Sequence, residues 1–504
     1  MVDPNPRTKV APLTAVLSMR RAWAVVVPAV LCVACAGQPE GPLVTPPMAL
    51  GTAPQVQLAA AGVPPATSRS EQLASSGYIE QEWRLQGQAR VYAPANDWAR
   101  DGRWSLREAE APRPYATRLL LRRPSDPSRF NGVVVVEWLN TTLGFDLDGG
   151  WILTRDELMR EGYAWVGVSA EASGNDGLTE VQAQRYATQD IASNAMAYDI
   201  FTQAGQVLRQ QGSTLLGTQG TVTLLALGFS QSAVYLTTYI NAFQPLTQAY
   251  SGFMLHGSAP AGAPVVAGRV GLLMPRIRSD LHTPVMQVQS EMEVAVSWPL
   301  SDTADTASVR YWEVAGAAHF DRRLQDEALP VAQARFRDQP LACLRPLNDL
   351  PIQVVDHAAL HALRTWVRDG TAPPIVPRMA RNALGFVRSD ADGNAIGGWR
   401  LPEIDAPRAQ YGTYSNIATS GISVSGLYRC IAGGSTIAFT PEQLLRRYGS
   451  QAAWLQRYQD AADALLKAGL MRPADHAEAI QRARRQAWPA ASTASPAASA
   501  AIGH

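Results

Sequence analysis

The middle of the chain alternates short apolar runs with longer amphipathic ones. Val133 to Trp138 is almost wholly apolar and β-branched, the pattern of a strand buried on both faces. Ala164 to Val168 reads the same way, Thr221 to Leu227 reads as a buried strand, and Gly252 to Leu255, Val285 to Gln289 and Val309 to Val314 complete the sheet. Tyr78 to Tyr92 and Ala116 to Arg122 read as a first, antiparallel pair. Between the later strands lie helical stretches near Thr154 to Glu161 and Tyr198 to Gln210, and His357 to Arg368 reads as a last helix after the sheet. Each later strand follows a long connection, as parallel crossovers require. The pattern predicts an α/β fold with a mostly parallel sheet flanked by helices.

At both ends this pattern fails. Met19-Arg20-Arg21 followed by the apolar run Ala22 to Val33 reads as an export signal, too short to span a bilayer. Ala34-Cys35-Ala36 fits a small-x-small cleavage site, and Cys35 is also a candidate lipid acceptor. The expected product is exported: periplasmic, secreted, or an outer-membrane lipoprotein. The organisation then reads as an extension and signal over 1–36, a tether over 37–75 and a core over 76–375. A C-terminal subdomain over 376–486, with a helix at Tyr448 to Ala468, and a disordered Ala/Ser tail over 487–504 complete it.

Composition narrows the class. The 504 residues carry 17% charged side chains and a net charge of +1. Nothing there suggests a nucleic-acid partner, and no protein partner is indicated. Of four cysteines, Cys32 and Cys35 fall in the signal. Cys343 and Cys430 remain, an even pair in an exported chain, and predict a disulfide.

Chemistry enters at Leu227-Gly228-Phe229-Ser230-Gln231-Ser232-Ala233. An apolar strand precedes it, and a helix over Gln231 to Asn241 follows, with Ala233, Leu236, Thr237 and Ile240 on one face. A serine on a tight strand-to-helix turn is a nucleophile elbow. Gly228 leaves room for the turn, and Ser232, where a glycine is usual, is small enough to keep the helix close.

Such a serine needs a base, and the base an acid, which in this arrangement follow it in the order serine, acid, histidine. Among seven histidines, His319 ends a strand and a loop of small residues, Ala315-Gly316-Ala317-Ala318. His256 precedes any acid candidate, and His282 lies ahead of its strand. The acid follows the strand ending at Gln289. Glu293 takes the expected position, Glu291 is the alternative, and Asp302 and Asp305 are distant fallbacks. For the oxyanion the expected donors are the backbone N–H of Gln231 and one from the loop Leu139-Asn140-Thr141, with Leu139 and Asn140 the first candidates. His357 and His361 stand four apart on a helix but lack the Glu and third ligand of a zinc site. Asp390-x-Asp392-Gly393-Asn394 misplaces the glycine and closing Glu of a calcium loop and reads as a turn. The constellation needs neither cofactor nor metal.

With these residues placed, the sequence resembles the α/β-hydrolase superfamily. More narrowly it is similar to exported bacterial proteins described as α/β-hydrolase domain-containing, whose elbow reads Gly-x-Ser-Gln-Ser. That likeness rests on Val136 to Asn140, Tyr198 to Phe201, Gly228 to Ala233, Trp366 to Gly370 with Pro373-Pro374, Asp392 to Asn394, Gly397-Gly398, Arg400 to Pro402 and Tyr448 to Ser450. It covers roughly residues 75–482. It implies an α/β-hydrolase fold and an esterase reaction class, and Glu293 stands where the commoner pattern has aspartate. With Ser230, Glu293 and His319 as placed above, the expectation is a serine carboxylic-ester hydrolase with a Ser-Glu-His triad, acting on a small-molecule or polymer ester. An acyltransferase, an amidase, or a non-catalytic binding protein on the same scaffold are the alternatives. The C-terminal part, with Trp399, Tyr411 and Tyr414 expected at its surface, is expected to cover the serine.

Overall fold

In the computed structural model, described residues run from 53 to 488, apart from 60–64, 69–71, 219, 267, 270, 297–303, 337–341, 415 and 421–423. The signal segment with Cys35, and the tail beyond 488, lie outside them. So does Asp302.

One nine-stranded sheet carries the molecule. Its strands are β1 Gln55–Leu58, β2 Tyr78–Pro94, β3 Leu106–Pro124, β4 Val133–Trp138, β5 Ala164–Val168, β6 Thr223–Phe229, β7 Gly252–His256, β8 Val285–Ser290 and β9 Val309–Val314. Their order is β1-β2-β3-β5-β4-β6-β7-β8-β9. β1, β2, β3 and β5 pair antiparallel in succession, and every pair from β5 onward is parallel. The central strands β4 and β5 are buried at every position, so their apolar runs continue without alternation.

The helices used below are α1 Gly149–Glu161, α2 Ala197–Gln210, α3 Gln231–Thr238, α4 Glu291–Val296, α5 Arg322–Phe336, α6 Gln353–Asp369, α7 Val424–Ala432, α8 Pro441–Tyr448, α9 Gln451–Lys467 and α10 Pro473–Arg485. Two large apolar clusters result. One holds Trp151, Trp165, Leu227 and Trp312 with α6, the other Trp138, Tyr198, Phe201 and Tyr239.

Several expectations need correction. The stretch 37–75, read as a tether, supplies β1 on the edge of β2, and its Ser68 hydroxyl donates to the buried Asp148 carboxylate at 2.6 Å. β3 starts at Leu106 rather than Ala116. Its first half is an exposed two-stranded ribbon whose Arg, Glu and Pro content hid it. α1 starts at Gly149 although glycine is a poor helix former. The buried Glu137 carboxylate on β4 accepts the Gly150 and Trp151 amides, both at 2.7 Å, and so satisfies the helix's first turn. The helix after Ser230 is α-helical only to Thr238, then widens into a π turn over Tyr239–Phe243. The expected Tyr448 to Ala468 helix is broken at Gly449, whose φ of +72° ends α8, and Ser450 caps α9.

The C-terminal part is not a separate body. Ala395, Trp399, Leu401 and Ile404 join the main core. Trp399, expected at the surface, is buried edge-on against Trp312, 4.7 Å between centroids. Tyr411 is half-buried, and only Tyr414 is exposed. A smaller cluster of Leu444, Tyr448, Trp454 and Tyr458 ties α8 to α9 and α10.

Cys343 and Cys430 are joined by a disulfide, with 5.6 Å between their Cα atoms. It closes a loop spanning 87 positions, worth about 4 kcal/mol if the gain is unfolded-chain entropy. Phosphine reduction is therefore expected to lower the unfolding free energy by about that amount, read from paired urea titrations.

Candidate active site

Ser230 sits between β6 and α3 with φ +60° and ψ −121°, one of three described non-glycine residues at positive φ. The conformation costs of order 1–3 kcal/mol and persists because the surroundings over-determine it. Its amide donates to the His256 carbonyl on β7 at 2.8 Å. A Cβ on Gly228 would lie 2.9 Å from the Ala233 amide nitrogen and the Leu236 side chain, so no other residue fits there without displacing α3. Ser232 is more than small. Its hydroxyl accepts the Phe229 amide and donates to the Phe229 carbonyl, both at 2.9 Å, stapling the turn as a glycine could not.

The Ser230 hydroxyl lies 2.7 Å from His319 Nε2, and His319 Nδ1 lies 2.5 Å from Glu293 Oε1. His319 arrives on the loop after β9, where Gly316 takes φ +74° and Ala317 and Ala318 are buried. Glu293 stands in the first turn of α4, its other oxygen accepting the Ser290 amide at 3.0 Å and the Ser290 hydroxyl. Burial opposes charge on Glu293, but His319 and the Ser290 hydrogen bonds prevail and hold its carboxyl below the usual range. Phe229 lies against His319, 5.4 Å between ring centroids.

Glu291 does not reach the histidine. It accepts the Gly316 amide at 2.7 Å, bracing the loop that carries His319, and burial pushes its carboxyl up to about 7. Asp305 pairs with Arg378. His256 is held at 2.6 Å by Asp356, and His357 pairs with Asp475. Asp390 Oδ1 accepts the amides of Asp392 and Asn394, an Asx turn.

The oxyanion expectation is altered on one side. As first residue of α3, Gln231 has an amide with no intrahelical acceptor. The Leu139 amide, however, donates to the Val168 carbonyl at 3.2 Å and the Asn140 amide to the Leu147 carbonyl at 3.0 Å. Both are committed, Leu139 to the end of β5 and Asn140 to a small bridge with Leu147 formed where the loop after β4 folds back. Asn140 acts through its side chain instead, donating to the Phe229 carbonyl at 2.9 Å.

Two residues were not legible in the sequence. Buried Glu171, in the loop after β5, accepts from Trp138 Nε1 at 3.0 Å and from Gln231 Nε2 at 2.8 Å. Gln231 Oε1 in turn accepts the Thr141 amide at 3.2 Å, so Glu171 locks the elbow to the loop after β4. Tyr428 comes from α7, and its hydroxyl is within hydrogen-bonding reach of the Ser230 side chain. Its place two residues before Cys430 was the one available hint. Ser230 and His319 open into an apolar pocket lined by Phe145, Leu147, Phe320, Leu324 and Tyr428 among others.

A strained serine at a strand-to-helix turn, beside histidine and glutamate on the loops after later parallel strands, defines the α/β-hydrolase architecture. The model of the alpha/beta hydrolase domain family matches residues 44–481, and the chain belongs to that family. Fungal esterases from Rhizomucor miehei are similar at 14% identity, over 53% of this chain and 87% of theirs, with a TM-score of 0.27. Esterase Est22 is similar at 11% identity, over 53% and 82%, with a TM-score of 0.30. The rice cell wall degrading esterase LipA from Xanthomonas oryzae is similar at 15% identity, over 41% and 50%, with a TM-score of 0.23. No curated protein sequence matches the chain.

Proposed function

We propose that the protein is a serine hydrolase of carboxylic esters, working through Ser230, His319 and Glu293. The observation that carries this reading is the unbroken pair of contacts from Ser230 Oγ to His319 Nε2 and from Nδ1 to Glu293, at 2.7 and 2.5 Å. Ser230 attacks the ester carbonyl, and its proton passes to His319 Nε2. The electron pair of the carbonyl moves onto oxygen, where the Gln231 amide at the head of α3 donates. Collapse expels the alcohol, which takes the proton from His319. Water then enters by the same base and frees the acid. Glu293 keeps the His319 proton on Nδ1 and stabilises the imidazolium. The apolar pocket favours an ester with an apolar acyl or alcohol part. The Cys343–Cys430 disulfide supports an oxidising, extracytoplasmic compartment, in keeping with the export signal read in the sequence.

Fluorophosphonate labelling of wild type beside Ser230→Ala tests the reading, with short- and long-chain nitrophenyl esters assayed in parallel. Labelling and turnover in wild type, both lost in the mutant, are expected. Labelling without turnover would favour transfer to an acceptor other than water. A folded wild type that does not label would overturn the serine mechanism.

A further inference from the structure

Of the backbone donors expected for the oxyanion, Gln231 remains at the head of α3, while the amides of Leu139, Asn140 and Thr141 are committed elsewhere. Oxyanion sites work by several preorganised donors, and loss of one typically costs 10²–10³ in kcat. A side chain on the pocket wall can supply a second donor.

We infer that the Tyr428 hydroxyl is that donor, carried into the active site by helix α7 of the C-terminal part. The inference rests on the ester-hydrolase reading above. Three observations carry it. First, the hydroxyl reaches the Ser230 side chain in the resting site, and Tyr428 lines the same pocket as Ser230 and His319. In the tetrahedral intermediate Oγ is bonded to the former carbonyl carbon. The oxyanion then lies one bond angle from Oγ, within the same hydroxyl's swing. Second, the ring is held from two sides, by His319 at 6.3 Å and by Phe320 at 6.2 Å between centroids. Third, the helix bearing it is anchored at both the histidine loop and the core. Cys430, fully buried, is bonded to Cys343, and the Phe320 amide lies 3.4 Å from the Ala432 carbonyl. Beyond the helix, Gly434 packs so close that an added Cβ would stand 2.8 Å from the Ala318 Cβ.

The step balances without a proton leaving tyrosine. The Oγ–C bond forms, the carbonyl π pair becomes the oxyanion lone pair, the serine proton goes to His319, and Tyr428 only donates a hydrogen bond. Burial pushes the phenol up to about 12, so it stays a donor across the working pH range. The C-terminal part thus completes the catalytic site rather than merely covering it.

The test is Tyr428→Phe, measured with the nitrophenyl ester wild type turns over best. A fall in kcat of roughly 10²-fold with KM within threefold is expected. Affinity for a trifluoromethyl ketone of the same acyl chain, which forms an oxyanion on Ser230, should fall in step with kcat/KM. Affinity for the product acid should not change. A mutant that keeps kcat within threefold overturns the inference. So does one that loses ketone and product affinity equally, since that marks a packing role. Ser230→Ala, run alongside, separates the two readings. If it retains turnover the serine mechanism itself fails, whereas its inactivity beside a fully active Tyr428→Phe rejects only the role of the tyrosine.

Discussion

Replacing His319 by alanine is expected to lower kcat by roughly 10⁴- to 10⁶-fold while leaving the protein folded. The size follows from the chain of contacts. Ser230 Oγ has one basic partner, His319 Nε2 at 2.7 Å, and a neutral serine is a poor nucleophile without a base. Fluorophosphonate labelling should fall with turnover, because phosphonylation needs the same proton transfer. The other nearby imidazole cannot substitute. His256 is fixed through Nδ1 by Asp356 at 2.6 Å, and its ring packs on Phe229 at 5.5 Å between centroids. The imidazole of His319 is itself almost wholly buried among Phe229, Phe320 and Tyr428, so its removal leaves a cavity. A loss of about 1–3 kcal/mol in stability should accompany the loss of activity. Esterase rates and thermal midpoints measured together check both. A variant keeping more than a hundredth of wild-type kcat would remove His319 as the base.

The elbow and the histidine loop were readable in the sequence because both depend on local constraints. Gly228 and Ser230 mark a turn that few residues tolerate, and Ala317-Ala318-His319 follows the β-branched and aromatic strand Val309 to Val314. What stayed hidden depends on partners far apart in the chain. α1 begins on two glycines because Glu137, twelve residues earlier, accepts its first amides. The amides of Leu139 and Asn140 are consumed by Val168 and Leu147, and no local pattern shows that. Trp399 lies in a Gly-rich, polar stretch that reads as surface. It is buried because it pairs alongside the end of β9 at Val314, the Trp399 amide donating to the Glu313 carbonyl at 2.6 Å. Tyr428 shows the same limit from the functional side. Its helix is amphipathic like any other, and in the sequence the hint of a tie to the core is the disulfide predicted through Cys430.

Glu293→Gln is expected to lower kcat by roughly 10³- to 10⁴-fold, and Glu291→Gln by less than threefold, although the two stand two residues apart. The difference lies in which hydrogen bonds each makes. At Glu293 one oxygen faces His319 Nδ1, and the other accepts the Ser290 amide at 3.0 Å. A glutamine must keep its carbonyl oxygen toward that amide, or leave a buried N–H without an acceptor. Its NH₂ group then faces Nδ1. That forces the imidazole proton onto Nε2, the nitrogen that has to accept from Ser230. The histidine is held in the wrong tautomer and the charge that steadies its imidazolium is gone. At Glu291 the only requirement seen is an acceptor for the Gly316 amide, which a glutamine carbonyl meets. Its effect should instead appear in stability against pH. Burial pushes Glu291 up to about 7 in the folded chain, so the folded state keeps a proton that the unfolded chain loses near the ordinary value of 4.5. The stability this group contributes is full below that value and is lost as pH rises through about 7. Glu291→Gln should flatten that part of the profile, read from urea midpoints between pH 4.5 and 8. Equal losses of kcat in the two variants would reassign the acid. A larger loss in Glu291→Gln would put the catalytic carboxylate there and leave Glu293 as a support for the turn after β8.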